Sequence, residues 1–508
     1  MNVASGNTGG RRVYAAVAAC AIVLYLGALW NQFALDDVPI ILTNPLVAHP
    51  SGMWRAFAAP YWPPELGARL YRPLVIATYA FDQLVDGAVW FHAVNLLWHA
   101  AVAVAVVALA RRWTDDAGAL VAGLLFAAHP VHVEAVANVV GRAELMAGLF
   151  TLLAVYAALA RERVGWSAFA WALGLLCKEN AAVAPALIAL GWWVGLARPD
   201  RRQIVRFVAT WLLVGGAYAA VYTTVGHGFT RYDTVAPMFV GESPSTVRLT
   251  AVAALADVAR LLLFPLTLRV DYSPDERTVV ASPLDPRFVA GLLCALLWGA
   301  LFVLAWKRGR RLEAFGLGWI GIALLPVANL IFPAGFYVAE RTLYLPSAGL
   351  VLAAAAALAR LPRPRVQPVV AALVLLGGIR TFLRVPVWRD DAAVTISITR
   401  DSPRSYLGHS RMAGVYLDRR DPARALVEAR IAAGLYRRDP WIYVTGAVAA
   451  FSAREPRAAD SLLAALERVC AGGCAATYYR YEAAVARAHG YPEAADSLLA
   501  RLKRLPTP

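Results

Sequence analysis

Charge is scarce in this 508-residue chain. Asp, Glu, Lys and Arg make up 16% of it, against about a quarter in soluble globular domains. Lysine is almost missing: Lys178, Lys307 and Lys503 are the three present, so nearly all positive charge is arginine. Five cysteines are too few for a disulfide framework. Cys20, Cys177 and Cys294 sit in apolar runs as packing residues, and Cys470 and Cys474, close together in a polar tail, read as two free thiols in preference to a local disulfide. There is no Walker loop, no GxGxxG turn and no nucleophile elbow, so no nucleotide or ATP site is indicated. What fills the space is apolar: 59% hydrophobic residues and a mean hydropathy of +0.54. That excludes disorder and a purely soluble enzyme. The net charge of +15 falls in short basic clusters between apolar runs, the pattern that orients membrane spans, and so does not point to nucleic acid.

A crossing helix needs about 20 apolar residues. The run 13–30 follows Arg11 and Arg12 and lacks a small-residue cleavage site, so it reads as a retained anchor with the N-terminus inside. Alternation then places runs 88–110, 118–133, 145–160, 166–177, 181–196, 207–225, 288–306, 312–330, 343–358 and 366–383, with basic clusters at 111–112, 161–163, 198–206, 307–311 and 360–365 all inside. The run 249–268 carries Asp257 and Arg260; if it crossed, every later cluster would land on the wrong side, so it is predicted to lie in or on the outer leaflet. The total is about eleven spans, an all-α polytopic bundle over residues 1–387 with the tail outside.

From Trp388 the chain turns polar and helical in period. Pro422, Pro456 and Pro492 mark similar segments spaced by 34 and 36 residues, and Ala-Ala-Asp-Ser-Leu-Leu-Ala occurs twice, at 458–464 and 494–500. A tetratricopeptide repeat has about this length, so 388–508 is predicted to be a short array of such repeats on the outer side; an irregular helical hairpin domain is the alternative.

Ionisable residues at membrane depth are costly and mark function, and nearly all of them fall at the outer ends of the spans. Asp36-Asp37 follows the first span; a helix cap explains such a pair as well as chemistry does. His129-Pro-Val-His132-Val-Glu134 places two imidazoles three apart, on one face if helical. Its donor set leaves a divalent metal open, although acid–base work or hydrogen bonding to a substrate suits it better. Asn138, Arg142 and Glu144 continue that polar stretch. Lys178-Glu179 interrupts an apolar hairpin, with mutual neutralisation as the plain reading. Glu340-Arg341 precedes the 343–358 run, Glu340 holding the guanidinium for a bidentate phosphate contact. Arg69-Leu-Tyr-Arg72 is a basic aromatic loop suited to a headgroup or sugar.

These motifs, in this order, resemble the transmembrane and tetratricopeptide-repeat O-mannosyltransferase family: the early Asp36-Asp37, residues 129–149, Cys177-Lys-Glu-Asn180 and residues 324–349. The resemblance implies a C-type glycosyltransferase with its active site on the lumenal or periplasmic side. It also implies a polyprenyl-phosphate sugar donor, commonly a mannose, and a protein Ser/Thr acceptor guided by the repeats. Asp36 or Asp37 would be the base, with Glu134 beside it. Arg72, His129, His132, Arg142, Lys178, Glu179, Glu340 and Arg341 would bind substrate, Arg341 at the lipid phosphate. No cofactor is implied. The arginine-rich composition suggests a bacterial polyprenol in place of dolichol. A transporter would carry its charges through the midplane, and a scaffold presenting repeats would have no use for the acids; these remain the alternatives.

Overall fold

The computed structural model describes residues 5–63, 70–225, 235–470 and 473–505, and among them there is no strand. The helices in order are α1 (Ser5–Tyr25), α2 (Gly52–Arg55), α3 (Pro73–Asp82), α4 (Ala88–Ala110), α5 (Asp116–Ala127), α6 (Val133–Ala137), α7 (Arg142–Leu159), α8 (Val164–Cys177), α9 (Ala184–Trp193), α10 (Arg201–Val225), α11 (Pro244–Leu263), α12 (Pro286–Lys307), α13 (Arg311–Leu324), α14 (Tyr344–Leu358), α15 (Arg363–Arg384) and α16 (Asp391–Asp401). Then follow α17 (Tyr406–Asp418), α18 (Pro422–Leu435), α19 (Pro440–Ser452), α20 (Pro456–Val469), α21 (Ala475–Ala488) and α22 (Pro492–Leu502). The fold is all-α. Residues 1–235, 243–268 and 280–390 form one compact unit, and 236–242, 269–279 and 391–508 form a second.

In the first unit, seven described helical stretches are long and apolar enough to cross a membrane: Gly10–Trp30, Ala88–Ala110, Val139–Leu159, Arg201–Val225, Pro286–Lys307, Glu340–Leu358 and Arg363–Trp388. The pair Asp116–Ala127 and Pro130–Ala137, bent by 48°, makes an eighth if counted as one span. The runs 166–177, 181–196 and 312–330, expected as full crossings, appear as the shorter α8, α9 and α13. The run expected at 249–268 is α11, whose Arg248, Asp257 and Arg260 keep it outside the span set.

The spans sort into two kinds. Those built on α4, α7 and α14 are largely buried within the protein, whereas α10, α12 and α15 turn nearly all of their apolar surface outward. Such outward surface is stable because lipid tails are as apolar as the side chains they meet. Inside, α13 and α14 approach through Gly316 and Gly349, where a Cβ on either would strike the other's backbone. Trp319, Tyr79, Phe91, Phe126 and Phe315 are fully buried.

The second unit is a row of helix pairs, α17–α18, α19–α20 and α21–α22. Pro422, Pro456 and Pro492 each open the second helix of a pair, at the position where a missing N–H costs nothing. Two residues before each proline the backbone is left-handed: Arg420 (φ 61°), Arg454 (φ 61°) and Gly490 (φ 76°). The repeated sequence thus builds a repeated turn. Ala425, Leu426, Val444, Leu463, Tyr479 and Leu498 belong to its core. Cys470 and Cys474 form a disulfide, which corrects the expectation of two free thiols. The chain turns after α20 and brings their Cα atoms to 5.0 Å, inside the range a disulfide bridges. The stretches 236–242 and 269–279 join this unit through hydrogen bonds: Tyr406 N–H donates to Pro274 O (3.0 Å), the Ser402 hydroxyl to Asp271 O (2.8 Å), and the Tyr436 hydroxyl to Pro237 O (3.1 Å).

Candidate active site

The charged residues of the first unit meet where helices break. Irregular backbone at such depth is tolerated where it lines a polar site. Leu35, at φ 54°, turns the chain after the first span and presents Asp36 and Asp37. Pro130 cannot donate a backbone hydrogen bond, so α5 stops, a 3-10 turn covers Pro130–His132, and α6 brings in Glu134. Lys178 is extended (φ −163°, ψ 144°) between α8 and a 3-10 turn over Glu179–Val183. Ala339 is extended too, ahead of the 3-10 turn Glu340–Leu343 that leads into α14.

An extended residue points neighbouring side chains apart, and this corrects two expected pairings. Lys178 does not neutralise Glu179: it ion-pairs with Glu144 on α7, while Glu179 takes Arg72 (Nη2 to Oε2 2.9 Å, Nε to Oε2 3.2 Å). Arg341 is not held by Glu340. Its Nη1 donates to Glu134 Oε1, and its own backbone N–H donates to Glu134 Oε2 (2.8 Å). Glu134 is 2% exposed, but a third of the Arg341 side chain is open. Glu340 itself is buried.

The two adjacent aspartates differ. Asp37 is buried and accepts backbone N–H bonds from Ala34 (3.0 Å) and Val140 (2.8 Å), tying the first loop to the 3-10 turn Val139–Gly141. Burial, helped by the neighbouring charge of Asp36, pushes its carboxyl up to about 7 against the pull of those N–H groups. Asp36 is half-buried, and its carboxylate accepts no hydrogen bond among the described residues. It lies within Coulombic reach of Arg341 and Tyr61.

Three expected site residues are taken up elsewhere. Arg142 is fully buried: it ion-pairs with Asp82 and donates to Asn95 Oδ1 (2.8 Å), Phe91 O (3.0 Å) and Thr78 Oγ1 (3.3 Å), with its guanidinium 4.7 Å from the Tyr79 ring centre. The rings of His129 and His132 are neighbours, 5.4 Å between centres, yet His129 Nε2 donates to Leu262 O (3.0 Å) and His132 Nε2 to Ser347 Oγ (2.7 Å). His132 lies within an aromatic cluster with Phe126, Tyr344 and His99. The His-x-x-His-x-Glu donors are thus divided among three partners. Among the described residues no three His, Cys, Asp or Glu side chains group as metal ligands. Arg69 lies outside the described residues.

Tyr61 escaped the sequence reading. It is 2% exposed, and the Arg72 guanidinium sits 5.0 Å from its ring centre. The Tyr61-Trp62 pair between prolines was the available signal. Glu144 and Asn180 were visible only as polar residues; Glu144 holds Lys178 and itself accepts from the Asn180 amide at 3.4 Å. The whole sets Asp36 within reach of Arg341, with Arg341, Lys178 and Arg72 each held by its own carboxylate. Such a set can take a proton at one side and an anion at the other.

No family model matches the chain. Curated relatives do. Mouse protein O-mannosyl-transferase TMTC3 is 29% identical over 386 residues, covering 67% of this chain and 41% of its own length. Human protein O-mannosyl-transferase TMTC4 is 29% identical over 447 residues, 74% of this chain and 60% of its own. The chain is thus similar to the transmembrane and tetratricopeptide-repeat protein O-mannosyl-transferases over about two thirds to three quarters of its length. A third relative, protein O-mannosyl-transferase Tmtc2 of Drosophila melanogaster, is 33% identical over 58% of the chain and 33% of its own length. The chain is a multi-pass membrane protein, and it spans between 41% and 60% of the length of the first two relatives.

Proposed function

We propose that the chain is a membrane glycosyltransferase that moves mannose from a polyprenyl-phosphate donor to a Ser or Thr hydroxyl of a protein. The carrying observation is the contrast within one loop: Asp37 is fixed by two backbone donors, while Asp36 keeps its oxygens free opposite Arg341. Asp36 takes the proton of the acceptor hydroxyl. The new oxygen–carbon bond forms at the anomeric carbon as the bond to the lipid phosphate breaks, with inversion. General-base help of this kind is worth about 10²–10⁴-fold. The departing phosphate is received by Arg341, whose side chain is one-third exposed, with Lys178 and Arg72 adding positive field. Asp37 holds the loop in place, and Glu134 holds Arg341.

The site faces the lumenal or periplasmic side in this reading. One feature supports that: the opposite ends of α7 and α8 meet at the basic pair Arg161 and Arg163. The three helix pairs serve as a tetratricopeptide-like array that presents the acceptor. Purified full-length chain, radiolabelled polyprenyl-phosphate mannose and a Ser/Thr-rich peptide test the reading. Wild type labels the peptide, Asp36→Asn does not, and Asp37→Asn retains part of the activity in proportion to its folded fraction. Full labelling by Asp36→Asn removes the base role.

A further inference from the structure

The far end of the α7–α8 hairpin carries a second site. Fifteen helical residues of α7 follow Glu144 before the turn that carries Arg161, roughly 23 Å at 1.5 Å per residue, so this end lies across the membrane from the acids. Between the two helices runs a groove of about 470 Å³, lined by Phe150, Leu153, Tyr156, Trp166, Phe169 and Leu173, with Arg161 and Arg163 at its mouth. Ligand pockets are typically about 300–1,000 Å³. Trp166 and Phe169 are more than half exposed.

Neither arginine at the mouth has an ion-pair partner among the described residues. Arg161 donates to the Tyr156 hydroxyl (3.2 Å) and lies over that ring, which fixes its direction without neutralising it. The intervening Glu162, at φ 53°, accepts from the Gln203 amide (3.3 Å). That contact brings the start of α10 alongside, with Arg201, Arg202 and Arg206 exposed. None of these five arginines forms an ion pair among the described residues. An apolar groove ending in unpaired guanidiniums matches a ligand with a long hydrocarbon chain and a phosphate.

We propose that this groove binds one anionic phospholipid of the leaflet facing the basic loops, its acyl chain along Phe150–Trp166 and its phosphate between Arg161 and Arg163. The site is separate from the sugar-transfer site and does not depend on the reading given for it.

Native mass spectrometry of the purified full chain in detergent, titrated with phosphatidylglycerol or phosphatidylcholine, tests it. One phosphatidylglycerol should bind at least fivefold more tightly than phosphatidylcholine. Arg161→Gln with Arg163→Gln should abolish that preference, while Arg457→Gln with Arg480→Gln, which removes two exposed charges from the second unit, should leave it intact. Brominated phosphatidylglycerol should quench wild-type fluorescence more than that of Trp166→Phe, a readout that needs no arginine change. Equal binding of the two lipids, equal loss in both double variants, or quenching unchanged by Trp166→Phe would each overturn the assignment.

Discussion

The two ends of the α7–α8 hairpin carry charge in opposite ways. At one end Glu144 holds Lys178 and Arg72 holds Glu179, all within a crowded polar knot. At the other, Arg161 and Arg163 stand exposed with no carboxylate partner among the described residues. Buried charge survives only when paired and hydrogen-bonded, so the first end is a built framework, beside which Asp36 accepts no hydrogen bond among the described residues. Exposed charge needs no partner in the protein, and the second end is free to meet one from the membrane. The same two helices therefore hold a site fixed from within and a site open from without.

The sharpest break is at Asp36. Asp36→Asn should lower sugar transfer by about 10²–10⁴-fold, read by peptide labelling, with thermal unfolding little changed because its carboxylate accepts no hydrogen bond among the described residues. Lys178→Met should act the other way round. It strands Glu144 in a buried place, and losing one member of such a pair costs about 3–5 kcal/mol; adding Glu144→Gln should recover most of that in the melting temperature.

The second unit supplies a control with its own buried acid. Burial pushes Glu482 up to about 7 from its ordinary 4.5, against a hydrogen bond from Thr445. A carboxyl raised in the folded state binds more protons folded than unfolded between these values. The unit should therefore lose stability as pH rises from about 4.5 to 7, by on the order of 3 kcal/mol in all, and be flat on either side. Glu482→Gln should remove the slope, as read by pulse proteolysis in urea across that pH range. A slope that persists in the variant assigns it to another group. The smallest effect belongs to the open end: Arg161→Gln with Arg163→Gln should change the melting free energy by less than about 0.5 kcal/mol, even though it removes the lipid preference.

Much of the fold was legible because its signals are local. Apolar length marked the long spans at 88–110, 207–225 and 288–306 within a few residues of α4, α10 and α12, and the spacing of Pro422, Pro456 and Pro492 located the starts of α18, α20 and α22. Short helices blurred the count: α8, α9 and α13 are apolar but run only 10 to 14 residues. The Cys470–Cys474 disulfide also went unread, because it depends on how the chain turns after α20.

For the site, the sequence by itself determined which residues were charged at depth and that they gather at helix ends, since breakers such as Pro130 act on their immediate neighbours. It could not say who pairs with whom. Adjacent residues looked like partners in Lys178-Glu179 and Glu340-Arg341, but backbone extended at Lys178 and Ala339 sends neighbouring side chains to opposite sides. The true partners, Glu144 and Glu134, lie 34 and 207 residues away. Likewise only the tertiary structure separated Asp36 from Asp37, because what distinguishes them is a backbone N–H 103 residues distant, at Val140. Composition and periodicity fix what a short segment must bury; the partner of a buried charge is fixed by whichever element the packing brings within three ångströms of it.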